Sequence, residues 1–197
     1  MKIKETNLKF GKLTARKSTK RVIIHHSAGA GTAASFHRQH VGQGWAGLGY
    51  HFVVLPDGTI ERGRPEHTVG AHAGPSGNGD SLGVVLVGNF ETGKPTPEQM
   101  DSLVWLLTVY VPGKYGGRLP EQGHKDVMAT ACPGKNFPWA ELRRRLKVQE
   151  TTVTVNGETC KAYIIDGATY DEVRKPFEAA GFKVAYNAKT KKTEITK

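Results

Sequence analysis

A chain of 197 residues holds one medium domain, or one domain with a small companion, and 38% apolar with 23% charged residues describes a soluble globular protein. No stretch approaches the length of a membrane span, and two distant cysteines, Cys132 and Cys160, make no disulfide framework and suit a reducing compartment. The net charge of +10 is concentrated at the start, where residues 1–20 carry seven Lys/Arg against one Glu, while 21–145 and 146–197 contribute +2 each. Such a charge suits nucleic acid, anionic lipid or a polyanionic cell wall, and does not by itself choose among them.

The opening residues, MKIKETNLKFGKLTARKSTK, are basic but lack an apolar core of signal-peptide length. The expectation is synthesis in a cytoplasm, with delivery to any outer target left to other machinery. Val22–His26 then reads as a short buried strand, residues 32–41 as a helix, and YHFVVL (50–55) as a second strand. Pro56-Asp57-Gly58 turns that strand into TIERG, a hairpin. SLGVVLVG (81–88) is a continuous apolar run, the mark of a central strand covered on both faces.

Thr96 opens a helix as N-cap, with Pro97 at the first helical position and Gln99 closing a capping box. Met100, Leu103, Val104, Leu107 and Val111 follow as one core-facing stripe, and Pro112-Gly113 is expected to stop the helix. A further helix spans about Trp139 to Leu146. Mixed strands with interspersed helices make an α/β domain.

Beyond Leu146 the composition changes. Two strands flank an Asn156-Gly157 turn, and TYDEVRKPFEAAG reads as a helix with Thr169 and Glu172 as capping box, Pro176 inside it and Gly181 as C-cap. Two short strands close the chain. The division expected is residues 1–147 as the main domain, basic stretch included, a linker at 147–150, and residues 151–197 as a small α+β domain.

Chemistry is signalled first by the adjacent histidines His25 and His26 at a strand end. Neighbouring side chains of a strand point to opposite faces, so the two histidines must have different jobs. In GHKDVMATACPGK, His124 and Cys132 are eight residues apart, which puts them on a loop or across a turn. Imidazole and thiolate are good zinc ligands, and three protein ligands with one open position is the catalytic arrangement. Read alone, Cys132 is equally a small buried hydrophobe and the histidines are surface residues; spacing does not decide.

The segments VIIHHSAG, GLGYHFVVLPDGTIERGRP, VGAHAG, SLGVVLVGNF and GHKDVMATACPG occur in the order found in the zinc N-acetylmuramoyl-L-alanine amidases. The chain resembles that family, which includes phage lysozyme-type amidases and peptidoglycan recognition proteins, over about residues 10–145. The resemblance implies a central mixed β-sheet flanked by helices, with a zinc site at one edge of a peptidoglycan-binding groove. It implies His25, His124 and Cys132 as ligands of one zinc per chain, with His26 turned away as a packed residue. Tyr50 falls where the family places a tyrosine beside the zinc water, and Thr130 where some phage members carry lysine and recognition-type amidases threonine. His72 and Asn89 match positions near the groove and are expected to contact substrate. His37, His40, His51 and His67 match no role and are read as packing or surface residues.

The implied activity is hydrolysis of the amide between N-acetylmuramic acid and L-alanine in bacterial peptidoglycan, as in a phage endolysin acting on the wall after release. Two rivals stand beside it. A non-catalytic peptidoglycan-binding module has the same fold without zinc, and the intact ligand set argues against it. A nucleic-acid-binding protein explains the charge, but here the excess lies in a tail and not on a patterned face with interleaved aromatics. Neither nucleic acid nor membrane insertion is expected. The C-terminal unit resembles the small stalk domain named after copper amine oxidase N-termini, which implies either wall attachment or a homodimer contact and no copper chemistry.

Overall fold

The computed structural model describes residues 1–147, 149–155, 158–164, 178, 181–187 and 192–196. The chain divides into two compact units, residues 1–138 and 139–197. No helix among the described residues is long and apolar enough to cross a membrane.

The first unit is built on a six-stranded mixed sheet. Its strands are β1 (Ile3–Lys4), β2 (Arg21–His26), β3 (Phe52–Val54), β4 (Ile60–Arg62), β5 (Ser81–Leu86) and β6 (Glu121–Gly123), in the spatial order β1-β4-β3-β5-β2-β6. The β3–β4 hairpin is antiparallel, and β3, β5, β2 and β6 run parallel to one another. All six residues of β5 are buried, as a central strand requires. The hairpin turns at Gly58, whose φ of 82° suits a residue without a Cβ.

One face of the sheet is covered by α1 (Ala33–Gly42), whose Ala33 and Phe36 pack with Leu48, Val53, Val85 and Val87. Thr32 caps α1 through a reciprocal box with Ser35. The helix α3 (Pro97–Trp105) begins as its sequence dictates: Thr96 Oγ1 accepts from the Gln99 amide and Gln99 Oε1 accepts from the Thr96 amide, both at 3.1 Å. The Gln99 side-chain amide also donates to the carbonyls of Val54 and Val87, which ties the helix start to the ends of β3 and β5. The stripe Met100, Leu103, Val104, Leu107 and Val111 is buried throughout.

Pro112-Gly113 does not stop this helix. The chain widens to a π-helical turn at Leu106–Tyr110, re-enters α-helix as α4 (Val111–Tyr115), and ends at Gly116 with φ 74°. Pro112 is the second residue of α4 and directly follows the π-turn, whose wider ladder accommodates a residue with no amide hydrogen to give the preceding turn. A short helix, α2 (Gly74–Asn78), forms in a Gly/Pro-rich stretch.

The basic N-terminal stretch is not a loose tail. Ile3 and Lys4 pair with Ile60 and Glu61 at the sheet edge, and Ala15 bridges Thr68. Arg16 donates to the carbonyls of Thr68 (3.0 Å), Ser81 (2.8 Å) and Glu66, so a charge free to meet an anionic surface is instead committed to the backbone.

The second unit contains α5 (Trp139–Arg145) and a four-stranded sheet of β7 (Gln149–Val155), β8 (Glu158–Ile164), β9 (Lys183–Asn187) and β10 (Lys192–Thr196), ordered β8-β7-β10-β9. The two expected strand pairs are present as antiparallel β7–β8 and β9–β10. Gly181 has φ 84° and its amide donates to the Glu178 carbonyl at 3.0 Å. The Asn156-Gly157 turn, the Thr169–Glu172 capping box and Pro176 lie outside the described residues.

Candidate metal centre

Parallel pairing brings the key residues to one end of the sheet. Ile24 of β2 is in register with Gly123 of β6, so His25 and His124 emerge side by side at the carboxyl ends of adjacent strands, the usual place for a site in a parallel sheet. Their ring centroids are 4.6 Å apart.

Cys132 arrives from a loop that is fixed at several points. The Lys125 amide donates to the Cys132 carbonyl at 2.8 Å, and the Asn136 amide donates to the Phe90 carbonyl at 2.9 Å. The Lys135 amide donates to Glu91 Oε1 at 2.8 Å. Gly134, with φ 101°, lies against the backbone of Phe90, where any Cβ collides.

The outcome is a group of three donors, one each from His25, His124 and Cys132, all within 4.8 Å of one another. His25 Nδ1 stands 3.6 Å from Cys132 Sγ. At the bond lengths zinc takes to sulfur and nitrogen, a tetrahedral angle sets the two atoms about 3.5 Å apart, so the spacing suits a shared metal ion. Burial and neighbouring histidines hold His25 well below the usual imidazole range, and burial lowers His124 also. Both rings are therefore neutral and carry a lone pair, the form that binds metal. Burial pushes the Cys132 thiol up to about 11, opposed by the His26 amide, which donates to the sulfur at 3.4 Å. A thiol in this setting becomes thiolate when a cation compensates its charge.

His26 points elsewhere: its Nδ1 accepts from the Phe90 amide at 3.0 Å. The alternation of the strand thus separates the pair, and His25 is the one that joins the donor group.

Tyr50 precedes β3 rather than lying within it, and its ring centroid is 5.1 Å from that of His25. Two histidines pin the loop that delivers it. His37 Nδ1 accepts from the Leu48 amide and His40 Nδ1 from the Gly49 amide, both at 3.1 Å. Desolvation, with a smaller contribution from Cys132, raises the Tyr50 phenol to about 12, so it keeps its proton and acts as a donor at neutral pH.

Thr130 is exposed, and its hydroxyl accepts from the Cys132 amide at 3.3 Å. Asn89 is exposed as well; its Oδ1 accepts from the Glu91 amide at 3.0 Å and shapes the turn on which the Cys132 loop rests. His72 departs from expectation. It is 8% exposed, with Nδ1 3.0 Å from His25 Nε2, so it stands behind the donor group and not on a groove wall. A substrate contact needs a surface that this ring does not present. Of the two glycines whose Cβ positions meet this ring, Gly70 lies in GAHAG and Gly83 in a distant segment, so the motif by itself does not reveal the packing.

A family profile described as N-acetylmuramoyl-L-alanine amidase matches residues 15–135. The endolysin of Escherichia phage T7 is 39% identical over 130 residues, covering 60% of this chain and 82% of the relative. Peptidoglycan-recognition protein SC2 of Drosophila melanogaster is 35% identical over 134 residues, 61% of this chain and 71% of the relative. Among solved structures, N-acetylmuramoyl-L-alanine amidase LysC from Clostridium intestinale URNW superposes with a TM-score of 0.69 at 38% identity, covering 76% of this chain and 99% of that one. The matched span contains the whole sheet from β2 to β6 and all three donors, and the chain belongs to the N-acetylmuramoyl-L-alanine amidase family.

Proposed function

We propose that this peptidoglycan amidase is zinc-dependent and hydrolyses the bond between N-acetylmuramic acid and L-alanine, with one zinc ion on His25, His124 and Cys132. The observation that carries the reading is the convergence of two imidazoles and a thiol, from two segments about a hundred residues apart in sequence, within 4.8 Å. Three protein donors leave a fourth tetrahedral position, as in catalytic rather than structural zinc sites. Zinc bound there supplies Lewis-acid polarisation of a carbonyl and lowers the pKa of a bound water to about 7.

The chain's own residues supply the rest. Tyr50, protonated and beside His25, donates a hydrogen bond to the oxygen that gains negative charge as the amide carbon becomes tetrahedral. The His26 amide stabilises charge on the Cys132 sulfur. Thr130 holds the Cys132 amide and offers a hydroxyl dipole where a lysine in the same place offers a full charge, so its part in charge stabilisation is the smaller one. Asn89, exposed on the neighbouring turn, is the remaining candidate for substrate contact. The endolysins among the relatives support action on the cell wall after release from the producing cell.

Digestion of purified cell wall tests the proposal. New L-alanine amino ends should appear without new reducing sugars, activity should vanish with a chelator, and added Zn²⁺ should restore it. New reducing ends without amino ends make the chain a glycosidase, and full activity in chelator removes the zinc.

A further inference from the structure

We propose that His72 is a positioning residue: with Ser81 and the Gly77 carbonyl it forms a buried hydrogen-bond relay that fixes the proton of His25 on Nε2 and so leaves Nδ1 bare toward Cys132. The role as a metal-site device rests on the zinc reading above; the relay itself is a property of the chain.

The polarity of the relay follows from its far end. Ser81 Oγ lies 2.5 Å from the Gly77 carbonyl oxygen, which can only accept, so the serine hydrogen is committed there. The serine lone pair then faces His72 Nε2 at 3.4 Å, and that nitrogen must carry the hydrogen. His72 Nδ1 is left as an acceptor, 3.0 Å from His25 Nε2, so His25 donates from Nε2. The nitrogen that remains without hydrogen on His25 is Nδ1, the one 3.6 Å from Cys132 Sγ. Each step uses one hydrogen, and a backbone carbonyl sets the direction of all of them.

The surroundings keep the relay in place. His25 is 1% exposed and Ser81 fully buried, so the direction is not set by solvent. The backbone at His72 is clamped, since its own amide and that of Ala73 both donate to Asn78 Oδ1 at 2.8 Å. The ring occupies a slot cut by two glycines from separate segments. A Cβ at Gly83 lies 2.5 Å from His72 Cδ2, and one at Gly70 runs into the same ring. Neither glycine has the positive φ that would call for glycine on conformational grounds, so the space for His72 is what a side chain at either position removes. A ring placed merely to fill volume has no use for a hydrogen-bond sequence of fixed direction.

Three variants test this: His72→Phe keeps the volume and loses both bonds, His72→Asn keeps an acceptor near the Nδ1 position, and Ser81→Ala removes the anchor of polarity. The first readout is the His25 tautomer in the metal-free protein, from imidazole ¹⁵N shifts. The second is Zn²⁺ affinity by competition with a chromophoric chelator. The parent should show His25 protonated on Nε2, and His72→Phe and Ser81→Ala should mix the tautomers. Outer partners of ligating histidines are worth about 10- to 100-fold in metal affinity, and His72→Phe should lose that much while His72→Asn recovers most of it. A parent His25 protonated on Nδ1, or a folded His72→Phe with parental tautomer and affinity, overturns the relay. A parent that takes up no zinc instead overturns the zinc reading, and the tautomer still decides the relay. If His72→Phe does not fold, the tautomer in Ser81→Ala decides it, and an unchanged tautomer there overturns the proposal.

Discussion

The His26 amide donates to the sulfur of Cys132 at 3.4 Å while the His25 ring, one residue earlier on the same strand, presents Nδ1 to that sulfur at 3.6 Å. One strand end thus meets the sulfur twice, as a main-chain donor from His26 and as a second candidate ligand from the His25 ring. Sulfur is the donor whose charge the site must stabilise, because burial holds the metal-free thiol at about 11.

Removing that sulfur should therefore empty the site. In Cys132→Ala we expect less than stoichiometric zinc after gel filtration, where the parent retains one per chain, and wall lysis at background. Metal analysis and turbidity loss on purified walls check this together. Retention of one tightly held zinc by the variant rejects the ligand assignment.

Tyr50→Phe isolates a hydrogen bond made to the transition state. Losing one such donor costs about 10²- to 10³-fold in kcat, and zinc content, KM and thermal stability should stay near parental because the ring remains packed. Thr130→Ala should cost less, since its hydroxyl accepts from the Cys132 amide and carries no charge. Near-normal turnover of Tyr50→Phe reduces Tyr50 to a packing residue.

What was legible in the sequence followed from local rules. The Thr96–Gln99 box, the buried stripe from Met100 to Val111 and the opposed faces of His25 and His26 all depend on spacing within a few residues. The parts that escaped depend on partners far along the chain. His72 meets Ser81 and His25 because three segments converge, and nothing in GAHAG alone says whether its histidine faces a groove or another ring. Arg16 looks like solvated charge until the 66–68 segment is beside it. Pro112 reads as a helix stop, and the π-turn that carries the helix past it has no local signature in LLTVY.

A pH-dependent stability should trace in part to His51, alongside His25 and His72, which burial also holds well below the imidazole range. The Gly83 amide donates to its Nδ1 at 2.9 Å, Nε2 faces the Thr68 carbonyl, and full burial with Arg16 nearby lowers its pKa to about 3. The unfolded chain binds a proton at this residue below the ordinary value of 6.5, whereas the folded chain does not until about pH 3. Between those values the unfolded state holds more protons, so stability rises with pH and is lost on acidification from 6.5 downward. One such group contributes at most about 1.4 kcal/mol per pH unit. Denaturant midpoints from pH 7.5 to 4.5 should fall, and His51→Asn, which keeps an acceptor for Gly83, should show a shallower slope by up to one proton. Equal slopes in parent and variant remove His51 as a source.

The last prediction concerns the second unit. The three donors, Tyr50 and the sheet that positions them lie within residues 1–138, and the family match ends at residue 135. Residues 1–147 should therefore fold and cleave soluble muropeptide with kcat near that of the full chain. On intact walls the truncated form should bind and lyse less well, because a tethered wall-binding unit raises the local concentration of enzyme at the surface. The basic stretch at residues 1–20 competes with this explanation, but its Arg16 is turned onto backbone carbonyls and its exposed Lys4 is paired with Glu61, which leaves less charge for the wall than composition suggests. Salt separates the two contributions. Attachment driven by exposed charge fades as the Debye length falls from about 10 Å at 0.1 M to about 3 Å at 1 M, whereas attachment through residues 151–197 should persist in the full chain and be missing from the truncated one. Sedimentation with purified walls across that range gives the comparison directly. If truncation leaves salt-resistant wall binding intact and changes the mass in solution instead, the second unit joins copies of the chain and does not target the wall.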